Sequence, residues 1–128
     1  MELREYFDNK DGVGVLSTSD GDGLVNSAIY GRPHVMEDGK ISFIMANKLS
    51  HKNLLSNPHA SYLFIEKGDG YRGKRLSLTK VREEKDSELL ETLRRRRYSP
   101  EQERDMKPLY LVFFDIDSEL PLVGASEN

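Results

Sequence analysis

The chain has 128 residues, of which 37% are hydrophobic and 32% charged, and its net charge is −3. This composition predicts one soluble globular domain over residues 1–128, with a single modest core. The negative charge argues against nucleic acid or an anionic membrane as the main partner. The absence of cysteine excludes disulfides, thiol nucleophiles and cysteine-based metal sites.

Metalloproteins, and proteins that are secreted or span a membrane, are not expected. The three histidines lie at positions 34, 51 and 59, without the spacing of a metal site, so no metal is predicted. The N-terminal residues lack the apolar core of a signal peptide, and no stretch approaches the ~20 apolar residues of a membrane span. The expected location is the cytoplasm.

The first half of the chain predicts a helix followed by a hairpin. A short helix is expected at Glu2–Asp8 and a strand at Val13–Ser19. Asp20-Gly21-Asp22-Gly23 is a strong turn signal, so a long second strand should run from Leu24 to about Met36. Pro33 has no N–H group, which limits strand pairing there to an edge or a bulge.

The second half predicts strands separated by two helices. The expected strands are Lys40–Ala46, Ala60–Glu66, Lys74–Glu83 and Leu109–Asp117, and the expected helices are Ser50–Asn57 and Asp86–Tyr98. Six strands at hairpin spacing, with small helices between them, indicate a mainly β fold. A closed or nearly closed antiparallel barrel is the architecture that fits this order.

The last predicted strand has two apolar faces. Residues 110, 112, 114 and 116 form one face, and residues 109, 111 and 113 form the other; all are apolar or aromatic. A strand of a barrel with a single core should have one polar face. The second face therefore predicts a homodimer, in which another copy of the chain covers it.

The opening of the predicted helix after the third strand has the features of an anion site. Ser50 begins the helix and Lys52 lies in its first turn. Backbone N–H groups without acceptors, a hydroxyl group and a cation then meet at one point, which suits a phosphate monoester. The alternative is ordinary helix capping by Ser50 with a solvated Lys52. However, the charge of a lysine at this position opposes the helix dipole, and a bound anion would explain its presence.

Two other segments carry small polar residues close to apolar strands. Asn26-Ser27-Ala28 lies in the middle of a predicted strand, where larger apolar residues would fill a core better. It is either a solvent-facing segment or a set of contacts to a flat heterocycle. The strand that ends at Ala46-Asn47 follows by a tight hairpin, so the two segments can lie side by side.

These residues resemble the FMN-binding split barrels of the pyridoxamine 5′-phosphate oxidase-like superfamily. The resemblance covers about residues 10–83. It rests on Leu24-Val25-Asn26-Ser27, on the strand ending at Ala46, and on Ser50-His51-Lys52 followed by Asn57-Pro58. It implies a six-stranded antiparallel split barrel that dimerises and holds FMN between its subunits.

The resemblance also implies roles for individual residues. Ser50 and Lys52, with His51 and Asn53 as weaker candidates, would hold the phosphate. Asn26, Ser27 and Ala28 would lie along the isoalloxazine ring, and the backbone of Met45, Ala46 and Asn47 would contact its other edge.

The implied activity is that of an oxidoreductase, which passes a hydride or electrons through FMN from a small-molecule donor such as NADH or NADPH to an acceptor. A true pyridoxamine 5′-phosphate oxidase has a C-terminal segment rich in arginine and tryptophan, whereas this sequence has no tryptophan. The chain is therefore expected to be a relative of that oxidase with another substrate. Two alternatives are a non-catalytic flavin carrier or redox sensor, and a protein that binds another planar cofactor, heme or deazaflavin.

Overall fold

Three helices and seven strands follow one another in the computed structural model, which describes residues 2–95 and 108–124. The elements are α1 Leu3–Asn9, β1 Gly12–Ser19, β2 Val25–Ile29, β3 His34–Val35, β4 Ile41–Ala46, α2 Leu49–Ser56, β5 His59–Glu66, β6 Gly73–Lys85, α3 Glu88–Arg95 and β7 Leu109–Pro121. The predicted third helix extended to Tyr98, which lies outside the described residues. None of the helices in the described ranges has the length and apolarity that a membrane span requires.

The strands form one antiparallel sheet in the order β2-β1-β5-β6-β7-β4-β3. The prediction of six strands is wrong, because the long second strand breaks into β2 and β3 at residues 30–33. Before the break the chain pairs with β1, and after it with β4. Pro33 lies in the break, as expected of a residue without an N–H group. The two parts of one predicted strand therefore form the two edges of the sheet, which is rolled up but not closed by hydrogen bonds.

A buried tyrosine holds the crossing between the two edges. The Tyr62 hydroxyl of β5 donates to the backbone carbonyls of Gly31, at 3.0 Å, and Tyr30, at 3.3 Å. Tyr30 N–H donates in turn to the carbonyl of Gly14 at 2.9 Å. The hydroxyl fits because position 14 has no side chain: a Cβ atom there would lie 2.0 Å from the Tyr62 oxygen. These bonds satisfy backbone groups that the broken strand leaves without a ladder partner.

This packing predicts a large effect for one added methyl group. Gly14→Ala should reduce the free energy of unfolding by about 1–3 kcal/mol, because the methyl group overpacks the site and displaces the Tyr62 hydroxyl. Gly31→Ala is the matched control, since a Cβ atom there meets nothing within 4 Å. It should change stability by no more than ~0.5 kcal/mol. Urea unfolding of both variants measures the difference, and equal stabilities would contradict this role of Tyr62.

The inner face of the rolled sheet forms the main core. Its buried residues are Tyr6, Phe7, Leu16, Ile41, Phe43, Met45, Leu54, Tyr62, Phe64, Leu76, Leu78, Val112 and Phe114. Most of them alternate along the strands, and the helices α1 and α2 contribute the remainder. The core therefore fixes α2 to the barrel through Leu54.

The helix α3 covers the outer face of β7 and β4. Leu90 and Leu93 of α3 pack against Leu109, Leu111 and Phe113 in a second buried cluster. The second apolar face of β7 is thus buried within one chain and does not require a second copy. The strand pattern indicated correctly that both faces are buried. The argument for a dimer from this strand was wrong, because α3 covers the second face.

Candidate functional site

The helix α2 begins without a capping side chain. It starts at Leu49, one residue before the predicted Ser50, with Lys48 at the N-cap position. Within residues 2–95 and 108–124 no side chain bonds to the first backbone N–H groups, and the first turn contains no acidic residue. Lys48 and Lys52 supply positive charge where the helix dipole favours negative charge. The opening of α2 is thus a cluster of donors and cations without a matching acceptor.

The helix α3 shows the opposite arrangement in the same protein. The Ser87 hydroxyl accepts a hydrogen bond from Leu90 N–H at 3.1 Å, and acidic residues lie in the first turn. Arg94 and Arg95 lie in the last turn, where they complement the dipole. The openings of α2 and α3 therefore differ both in capping and in charge.

Ser50 and Lys52, the two strongest phosphate candidates, differ in exposure. Ser50 is buried and Lys52 is exposed. Among the described residues, neither the Ser50 hydroxyl nor the Lys52 ammonium group has a hydrogen-bond or ion-pair partner. Within the described ranges, no protein group therefore competes with a ligand for either of them.

The side chains of His51 and Asn53 are buried and bonded inside the protein. Asn53 donates to the Thr18 hydroxyl of β1 at 3.1 Å. The His51 ring stacks on Tyr110 with 3.8 Å between ring centroids, and its Nε2 lies 3.0 Å from the Glu83 carboxylate. Neither side chain is therefore free to contact an anion at the opening. His51 N–H is one of the first three N–H groups of α2 and has no acceptor within the helix.

The carboxylate beside His51 is shared with a lysine. Glu83 accepts from Lys80 at 2.7 Å and lies next to His51 Nε2. Burial alone would raise the pKa of Glu83, but the hydrogen bonds from Lys80 and His51 outweigh it and lower the pKa below its ordinary range. Glu83 is therefore ionised at neutral pH.

The predicted ring contacts lie on β2, at one edge of the sheet. Asn26 pairs with Thr18 and Ala28 with Leu16, so both side chains share the inner face. Ser27 points to the outer face, where its hydroxyl lies 2.7 Å from that of Ser17. Among the strands of the described residues, β2 has a neighbour only on the β1 side, so these strands leave the backbone groups of its other edge unpaired.

The end of β4 lies on the other side of a gap between β2 and β4, which are not neighbours in the sheet order. Only the first residues of β4 pair with β3, whereas Phe43 to Ala46 pair with β7 alone. Met45 points into the core and Ala46 packs under α3, so both can contact a ligand only through the backbone, as expected. Asn47 is exposed and leads to α2, which packs against β1, β2 and β4. The structure thus places the segments 26–28, 45–47 and 50–53 around one gap.

Comparisons with known proteins identify the architecture. No protein-family model matches the sequence, and no curated protein matches it significantly. An FMN-binding protein from Syntrophomonas wolfei matches with a TM-score of 0.75 and 19% identity, over 95% of this chain and 84% of that chain. An F420 reductase matches with a TM-score of 0.67 and 17% identity, over 93% and 97% of the two chains. A pyridoxamine 5′-phosphate oxidase candidate from Listeria innocua matches with a TM-score of 0.62 and 14% identity, over 94% and 98%.

The chain has the same mainly β fold as these three proteins. The resemblance seen in the sequence is confirmed at the level of the fold.

The split barrel has a second feature that sequence analysis missed, on its outer face. Five serines on neighbouring strands form one transverse row: Ser27, Ser17, Ser61, Ser77 and Ser118. The next row consists of Ile29, Val15, Leu63, Arg75 and Leu120. Of the described elements, α3 covers only the half of this face formed by β4 and β7. The serines are scattered along the chain, and only the strand register shows that they are aligned.

Proposed function

We propose that this protein is a flavoprotein that binds FMN in the gap of a homodimeric split barrel and acts as an oxidoreductase. One observation carries the proposal: α2 opens with unpaired N–H groups, the Ser50 hydroxyl and Lys52, and no acidic residue. This arrangement suits a dianionic phosphate monoester. The fold supports the proposal, since a protein with the same architecture binds FMN.

In this proposal the chain supplies position and charge. Lys52, Ser50 and the first N–H groups of α2 hold the phosphate. The free edge of β2 at Asn26–Ala28 lines one side of the ring, and the backbone of residues 45–47 lines the other. Small Ala28 leaves room for the ring. No side chain of the gap needs to act as an acid or base.

FMN, when bound, supplies the chemistry of hydride and electron transfer between a reduced donor and an acceptor. We propose NADH or NADPH as the donor and the cytoplasm as the location. The similarity to an F420 reductase favours one second candidate, a deazaflavin cofactor in the same gap. A carrier without turnover would have the same binding residues.

A homodimer is supported by the outer face of the sheet, and no longer by β7. Val13, Val25 and Ile29 are apolar and more than half exposed, at 51%, 74% and 72%. They lie on β1 and β2, next to the flat serine row. Small side chains allow a second surface to approach closely, and apolar residues favour its burial. We propose that a second copy of the chain packs here and completes the wall of the gap.

The test is the absorbance spectrum of the freshly purified protein, with mass spectrometry of the released cofactor. The expected result is a flavin spectrum and the mass of FMN. Stopped-flow mixing with NADH or NADPH should then bleach the flavin bands, which an acceptor restores; a carrier shows no fast turnover. Pyridoxamine 5′-phosphate should not be oxidised. A protein that binds no FMN when supplied with it contradicts the proposal.

A further inference from the structure

A chain of polar side chains lies behind the opening turn of α2. Lys80 Nζ is 2.7 Å from the Glu83 carboxylate, which lies 3.0 Å from His51 Nε2. His51 Nδ1 is 3.3 Å from Asn47 Oδ1 in the connection from β4 to α2. The chain thus links β6 to both ends of the segment 47–51.

A bulge in β6 makes this arrangement possible. Residues three apart in a regular strand point to opposite faces. The register of β6 shifts between Lys80 and Arg82, so that Lys80 lies opposite Phe114 and Glu83 opposite Val112. Both partners belong to the core, and both charged residues therefore face inward. The two inward charges lie 2.7 Å apart and offset the cost of each other's burial, and Glu83 keeps a second contact to His51.

The His51 ring connects these polar side chains to the backbone of the opening turn. His51 is only 3% exposed, and its ring is fixed by Tyr110, Glu83 and Asn47. Its own N–H group is one of the donors at the opening, between Ser50 and Lys52. The first turn of a helix readily frays, so a fixed ring at this residue keeps the donors in the geometry that an anion needs.

We propose that Glu83 is a positioning residue for the phosphate-binding turn and acts through His51. This inference rests on the proposed function. The benefit is preorganisation: a turn that is held in place before binding loses less freedom when the phosphate arrives. Glu83 itself carries a negative charge and does not favour a dianion by its Coulomb field.

The test compares FMN with riboflavin, which lacks the phosphate, in the Glu83→Gln variant. Positioning predicts that FMN binds about three- to tenfold more weakly while riboflavin affinity is unchanged, so the FMN-to-riboflavin affinity ratio falls. Coulomb effects alone predict the opposite sign, because the substitution removes a negative charge near a dianion. A ratio equal to or above that of the wild type overturns the inference.

Thr18→Val is the matched control. It removes the other buried hydrogen bond of α2, from Asn53 to Thr18, away from the opening turn. We expect a loss of thermal stability and an unchanged ratio. An equal fall of the ratio in this variant would show that any loosening of α2 weakens FMN, and would overturn a specific role of Glu83.

His51→Phe provides a second variant should Glu83→Gln fail to fold. The phenyl ring keeps the stacking on Tyr110 but loses both polar contacts, and the ratio should fall at least as far as in Glu83→Gln. An unchanged ratio again overturns the inference. The wild-type protein separates the two failures. If it binds no FMN, the proposed function fails; if it binds FMN no more tightly than riboflavin, the phosphate site fails, and in both cases the inference fails too.

Discussion

Lys52→Ala should weaken FMN binding about ten- to hundredfold, which corresponds to about 1.5–3 kcal/mol. The Lys52 ammonium group is exposed and, within the described residues, has no ion-pair partner that would compete with a ligand. Its removal leaves the backbone donors of α2 in place, so a phosphate still binds but without the charge-assisted hydrogen bond. Titration of the apoprotein with FMN, with quenching of the flavin fluorescence as the signal, measures the change in affinity.

Two controls separate a contact with the phosphate from a general effect of charge. Riboflavin affinity should be the same in Lys52→Ala and in the wild type, because riboflavin has no phosphate. Lys67→Ala removes the same charge at the opposite end of β5, away from α2, and should leave FMN affinity within twofold. Unchanged FMN affinity in Lys52→Ala would remove this residue from the site. A parallel loss of riboflavin affinity would mean that the substitution damages the gap as a whole.

Local sequence signals predicted most of the elements. The turn at residues 20–23 and the helix stop at Asn57-Pro58 depend on backbone preferences of a few neighbouring residues. Accordingly, β1, β4, β5 and α2 begin and end within one residue of their predicted limits. The ligand contacts that the resemblance implies for Asn26–Ala28 and for the α2 opening stay predictions.

Features that depend on distant parts of the chain were not predictable. Pro33 indicated an edge or a bulge, but only the rolled sheet shows that the chain crosses there from one edge to the other. The alternation in β7 indicated two buried faces and could not show that α3 covers one of them. The contact between His51 and Glu83 depends on the inward direction of Glu83, which the bulge in β6 sets more than 25 residues away in the chain.

Ile29→Asp should convert the proposed dimer to a monomer. Ile29 is 72% exposed on the outer face of β2, so a carboxylate there is solvated in a single chain and the monomer should fold normally. In a two-fold interface the substitution occurs in both copies. Each buried and unpaired carboxylate costs about 3–5 kcal/mol, which raises the dimer dissociation constant far more than a hundredfold. Multi-angle light scattering at micromolar concentration should report the mass of one chain.

The same variant links assembly to the cofactor. A gap between the edges of β2 and β4 is open to solvent in one chain, so loss of the second copy should expose the ring and weaken FMN together with the dimer. Leu89→Asp is the control: it places a carboxylate on α3, which covers the β4 and β7 half of the outer face, and in a first turn where the helix dipole favours negative charge. It should leave both the mass and FMN affinity unchanged. A monomeric Ile29→Asp variant that binds FMN as tightly as the wild type would show that one chain forms the complete site, and a dimeric one would place the interface elsewhere.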